Sequence, residues 1–191
     1  MLDTRWFRSP LTPTDEWDAP GKERYVASTA AEQIILGDAQ WAWLEAQLRE
    51  PADLRLLVSS IQVIPEGHGW ELWRNLPAER QRFFELLRAT EVENLVLLSG
   101  DRHVGGLYRL EGETGYPLYE ITASSLNKSF AEGLTVPEYG PHQIGHLYGP
   151  ENFGLITIDW EREILAIELK DIDGATVRSL TLSLEDLRNR R

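Results

Sequence analysis

At 191 residues, 42% of them hydrophobic and 26% charged, the chain has the composition of an ordinary folded domain, with enough apolar content to bury one sizeable core. Acidic residues outnumber basic ones 31 to 19, a net charge of −12 whose long-range field repels polyanions and argues against bulk nucleic-acid binding. The sequence has no cysteine, which excludes disulfides, thiolate-bound zinc and thiol nucleophiles, and no run of about 18 apolar residues that would span a membrane.

Met1-Leu2-Asp3 reads as the last residues of a buried strand followed by a loop, so the chain is expected to open inside a larger fold. The same stretch has neither the basic region nor the apolar run of a secretory leader. Residues 8–30 hold Pro10, Pro13, Pro20 and Gly21 with no sustained period, which predicts a long surface loop. Gly37-Asp38 then introduces a helix in which Asp38 is expected to cap the free amides, Trp41, Leu44 and Leu48 to share one face, and Pro51 to stop the run. Residues 54–61 have the short apolar character of a strand buried on both faces. Pro77 suits the first turn of a second helix, around which Arg80, Phe83, Leu86 and Leu87 are spaced, and residues 94–98 form a second buried strand. Strand, helix, strand in that order implies a parallel pair joined by a right-handed crossover.

Beyond residue 105 the pattern changes to hairpins. Segments 106–110 and 116–122 flank a turn at Gly112 and Gly115, and strands are expected over 154–159, 163–170 and 175–184. The turn Asp171-Ile172-Asp173-Gly174 and the alternation of Leu165, Ile167 and Leu169 mark the last pair as an antiparallel ribbon with one buried face. The fold class is therefore α/β with a mixed sheet, in a single unit over 1–191.

Chemistry is concentrated in Ser99-Gly100-Asp101-Arg102-His103, where a buried strand stops and presents a carboxylate and an imidazole two residues apart. Sites in open α/β sheets lie beyond the carboxyl ends of strands, and these two groups are oxygen and nitrogen donors that divalent metals accept. The alternative is that Asp101 caps a turn and His103 lies on the surface. Arg5 can fork onto two phosphate oxygens or pair structurally with Asp3. Gln62 can orient a ligand through its amide or simply bond a loop, and His68 in its Gly-rich loop can be a solvated residue. Asn127 and Ser125 follow the 116–122 segment, where a turn role and a pocket role suit them equally. His142 and His146 are four apart, but Pro141 and Gly145 argue against a helix that would align them, so a loop bordering the site is expected. Trp6, Trp70 and Trp73 are read as packing anchors.

Five blocks in order, 2–11, 36–44, 58–63, 69–80 with Gly69-Trp70-Glu71-Leu72-Trp73 and Pro77-Ala78-Glu79-Arg80, and 99–103, resemble PhoD-like alkaline phosphatases and phosphodiesterases, and the likeness runs on through Ser124-Ser125-Leu126-Asn127 and Asn152-Phe153-Gly154. The resemblance implies the C-terminal part of a four-layer α/β/β/α metallophosphoesterase sandwich of the calcineurin-like kind, with two mixed sheets and a two-metal centre at the strand ends. It implies a phosphate ester as substrate and in-line displacement at phosphorus. It assigns Asp101 and His103 to metal and catalysis, Asp101 standing where the superfamily's late Gly-His-x-His motif has its first histidine, and places Arg5, Gln62 and Asn127 toward the substrate. A carboxylate at Asp101 favours iron, manganese or calcium over a purely zinc site. The family's earlier ligands would precede Leu2, so the chain is expected to lack an N-terminal half of the domain and to be weakly active or inactive alone. The rival readings are a non-catalytic half-domain, or a carbohydrate-type binding module on the C-terminal ribbon with tryptophans as stacking surfaces.

Overall fold

The computed structural model describes residues 1–129, 138 and 140–189. The N-terminal stretch makes a small antiparallel ribbon, β1 (Thr12–Pro13) with β2 (Tyr25–Val26), inside what the sequence reads as one long loop. Helix α1 (Asp38–Arg49) buries Trp41, Leu44 and Leu48 as their spacing predicts. Asp38 is its first helical residue, not its cap: the cap position is Gly37, and no side chain closes the helix end. Glycine is required there, because its φ is +74° and a Cβ would sit 2.8 Å from the Phe7 ring.

Strand β3 (Arg55–Val58), helix α2 (Pro77–Thr90) and strand β4 (Leu95–Ser99) form the expected parallel unit, and Pro77 occupies the first turn of α2. β4 continues in parallel to β6 (Leu118–Ala123), which pairs antiparallel with β5 (Gly105–Leu110), itself paired with β7 (Gln143–Tyr148). The order β3-β4-β6-β5-β7 makes a mixed five-stranded sheet. β3 is an edge strand rather than one buried on both faces, and Leu56 on it remains 43% exposed. The predicted loop around His142 and His146 is largely β7; Gly145, at φ +68°, accompanies a register irregularity against β5.

A separate antiparallel sheet, β8 (Asn152–Asp159), β9 (Ile164–Asp171) and β10 (Thr176–Ser183), matches the C-terminal ribbon read from the alternation. Successive side chains alternate faces along a strand. Leu57, Leu97 and Glu120 are paired across β3, β4 and β6 and therefore share the face beside α1 and α2, whereas Ile121 and Ala123 point the other way, where Gly154 of β8 approaches them. The layers are thus helices, mixed sheet and antiparallel sheet, around one continuous apolar core. Its centre is Trp73, fully buried, edge-on to Trp41 at 6.3 Å and tilted on Phe83 at 5.3 Å, with its indole N–H donated to Ser59 Oγ. No helix among the described residues is long and apolar enough to cross a membrane.

Candidate active site

β4 ends at Ser99, and the chain then turns through two residues with left-handed backbone, Asp101 at φ 65° and His103 at φ 57°. Such conformations are uncommon for residues with a Cβ and concentrate at functional turns. They, and not Gly100, carry the bend: a Cβ at Gly100 would make only ordinary contacts, at 3.6 Å from Ser124 Cβ and the Ser60 carbonyl. The turn is held from below by Ser124, whose hydroxyl accepts the His103 amide at 2.9 Å.

Arg5 is brought to this turn by the bridge of Leu2 to Ser59 beside β3, in which the Leu2 amide donates to the Val58 carbonyl. Asp3 then accepts the amides of Arg5 and Trp6 at 2.9 and 3.0 Å, which holds its carboxyl below the usual range. The side-chain pair of Asp3 with Arg5 offered by the sequence is therefore a backbone turn instead. The Arg5 guanidinium reaches across to Glu71 at 2.5 Å and Asp101 at 3.3 Å, while Arg8 also pairs with Glu71 at 2.6 Å. Partial burial raises the pKa of Asp101, and Arg5 is the largest influence opposing that rise.

Asp101 opens onto a cavity of 520 Å3 whose wall includes Trp17, Arg24, Trp70, Glu71 and Arg102. The Arg24 guanidinium lies 3.7 Å from the Trp17 ring centre and 5.4 Å from that of Trp70. Arg102 is ion-paired with Glu138, which burial would otherwise push further toward protonation. The loop that carries Trp17 and Arg24 is locked in place at Gly69, whose carbonyl accepts the amides of Arg24 and Tyr25 and whose own amide meets the Glu23 carboxylate.

Beneath the cavity lies a buried polar chain. Trp70 donates its amide to His68 Nδ1 at 3.1 Å, His68 Nε2 meets Gln62 Oε1 at 2.8 Å, and the Gln62 amide donates to Tyr108 Oη at 3.0 Å and Thr122 Oγ1 at 2.8 Å. Since Nδ1 accepts, the proton of neutral His68 is assigned to Nε2. Burial, reinforced by Arg102 and Arg74, holds the His68 pKa well below its usual value. His68 is thus the reverse of a solvated loop residue, and Gln62, 1% exposed with its amide satisfied, supports the floor rather than facing a substrate. Glu120 is a second buried anchor: it accepts the amides of Val63 and Ile64, and burial raises its pKa.

Asp101, Arg5 and Arg102 are therefore brought together, with His103 on the same turn. Asn127 is exposed past the end of β6, at the same sheet edge as Asp101, and Ser125 is buried in a bridge to Asn152. His142 lies 3.8 Å from Glu66. Trp73 and the half-buried Trp70 pack as expected, whereas Trp6 is 80% exposed and is not the packing anchor read from the sequence. The C-terminal ribbon carries one tryptophan, Trp160, not the set of stacking surfaces a carbohydrate module would need. Trp17, Arg24 and Glu71 were not singled out from sequence; the only signal toward the first two was that long loops in compact enzymes often carry function.

As metal donors, Asp101 and His103 fit in chemistry, one hard oxygen and one imidazole on a turn open to the cavity. Among the described residues they do not belong to a group of three or more His, Asp or Glu placed to hold a cation, so they constitute part of a donor set.

The profile of the PhoD-like phosphatases matches residues 1–145. A solved structure of PhoD aligns with the chain at a TM-score of 0.65 and 17% identity, over 95% of this chain and 38% of its own length. At that identity the likeness speaks to the fold, which it places in the same α/β class. A search of curated protein sequences finds no match.

Proposed function

We propose, from the premise that the chain belongs to the PhoD-like phosphatase family, that it carries the substrate-facing wall and part of the metal site of a metal-dependent phosphate ester hydrolase. The observation that carries the reading is the Arg5–Asp101 pair at the end of β4, opening onto a cavity lined by the further cations Arg24 and Arg102. A carboxylate and an imidazole on one turn, beside a planar guanidinium, are the groups that holding a cation and an anionic ester requires.

When bound, a divalent or trivalent cation held by Asp101 and His103 supplies charge neutralisation on a phosphoryl group and Lewis-acid activation of water. The chain's own residues do the rest. Arg5, fixed by Glu71, is presented to a nonbridging phosphoryl oxygen beside the Asp101 carboxylate, whose side chain is 39% exposed. Two donors do not make a two-metal cage, so full activity calls on further ligands. The chain spans 38% of the length of the PhoD structure it matches, and hydrolysis is accordingly a proposal for the full-length protein.

The test is turnover of p-nitrophenyl phosphate and bis(p-nitrophenyl) phosphate by the full-length protein after chelation, and again after separate addition of Mn2+, Ca2+, Zn2+ and iron. Turnover that disappears on chelation and returns with one of these ions supports the reading. Chelation that leaves turnover unchanged, or no turnover under any of these conditions, overturns it.

A further inference from the structure

The cavity beside Asp101 has a feature that ester hydrolysis alone does not require. Its outer wall is an alternation of aromatic and cationic groups, Trp17, Arg24, Trp70 and Arg102, with Arg24 3.7 Å from the first ring and 5.4 Å from the second, and Arg102 5.9 Å from the second. The four do not have the same freedom. Arg102 is committed to Glu138, and Glu71 is taken up by Arg5 and Arg8. Arg24, by contrast, makes no ion pair among the described residues, and its guanidinium lies over the Trp17 ring. Trp17 is 61% exposed despite lining the cavity.

This wall is built rather than accidental. The β1–β2 ribbon that carries it is pinned by backbone bonds from Arg24 and Tyr25 to Gly69, and the approach is so close that a Cβ at Gly69 would lie 2.6 Å from Lys22 Cα and Glu23 N. Trp70 is fixed in turn by its amide bond to His68. The cavity's 520 Å3 is within the range of small-molecule sites and well beyond what a phosphoryl group fills.

We propose that this cavity is a subsite for the alcohol portion of the ester, and that the portion it takes carries a planar ring, as in a mononucleotide, seated against Trp17 and Trp70 with Arg24 contributing the cation beside it. The proposal deepens the phosphoesterase reading and rests on it for the position of the phosphoryl group at Asp101. A flat ring gains stacking on indole and guanidinium faces that a flexible polyol does not, and the acidic surroundings admit a mononucleotide while repelling a long polyanion.

The experiment is calorimetric binding of AMP and of ribose 5-phosphate to the full-length protein, its Trp17→Ala and Arg24→Ala variants, and His103→Ala. AMP is expected to bind about tenfold more tightly than ribose 5-phosphate, with Trp17→Ala and Arg24→Ala each reducing that preference to about threefold or less, while ribose 5-phosphate binding changes little with Trp17→Ala. Equal affinity for the two ligands, or a preference unmoved by Trp17→Ala, overturns the subsite. The two readings fail separately: metal-dependent hydrolysis lost in His103→Ala with no preference for AMP leaves the phosphoesterase and removes the subsite. An AMP preference that depends on Trp17 in a protein that hydrolyses no ester removes the assignment of the cavity to an ester's alcohol portion.

Discussion

The guanidinium of Arg5 lies 3.3 Å from the carboxylate of Asp101, although one enters from the N-terminal loop and the other from the turn after β4. The contact depends on Glu71, which holds the other edge of the same guanidinium at 2.5 Å. Arg5→Ala is expected to lower kcat/KM for phosphate esters by about tenfold or more, chiefly through KM, and Arg5→Lys to restore little, because an ammonium cannot span Glu71 and Asp101 as a planar fork does. Steady-state kinetics on the three proteins check this; a lysine variant with wild-type kinetics would show that only charge matters there.

Gly69 couples the N-terminal ribbon to the cavity wall. A methyl group there would meet backbone atoms at 2.6 Å, so Gly69→Ala is expected to cost about 1–3 kcal/mol in unfolding free energy. It should also expose the 12–26 segment to limited proteolysis before the rest of the fold. Denaturant unfolding and a protease time course measure the two effects; an alanine variant as stable and as resistant as wild type contradicts the packing described.

His68 makes stability depend on pH. Its folded pKa is depressed below the value of 6.5 it has when unfolded, so in the window below that value the unfolded state binds the extra proton and acid favours unfolding. The stabilisation is present above pH 6.5 and is lost as pH falls toward the folded pKa. Protonation would also remove the Nδ1 acceptor that the Trp70 amide uses. A His68→Gln variant is expected to be less stable than wild type at pH 8 and to lose less stability between pH 7 and pH 5. Thermal melts across that range decide it, and parallel pH profiles for the two proteins would contradict the role given to His68.

The elements that rest on periodicity or punctuation were legible in the sequence: α1 from Trp41, Leu44 and Leu48, α2 from Pro77, and the β9–β10 ribbon from alternating leucines and the Asp171–Gly174 turn. What failed did so for tertiary reasons. An apolar run such as Leu56-Leu57-Val58 does not say whether its strand is central or at an edge. Gly145 marks an irregularity in β7 that reads as a loop because a strand with a register shift has no strict alternation. In the candidate site, the placement of Asp101 and His103 on one turn past β4 could be read because a strand end and two donors are adjacent in the chain. The partners of Arg5 could not be, since Glu71 and Asp101 meet it only through the fold. Gln62 and His68 look like free polar loop residues in sequence, and it is the close approach of Tyr108, Thr122 and Trp70 that turns them into a buried support.

Whether the turn after β4 holds a metal used in phosphate ester hydrolysis is decided by measuring bound metal and bis(p-nitrophenyl) phosphate turnover together in the full-length protein and its Asp101→Asn and His103→Ala variants. Each variant is expected to lose metal and its turnover to fall by about 100-fold or more, with circular dichroism unchanged. Variants that retain both full metal content and full turnover would contradict a metal role for the turn.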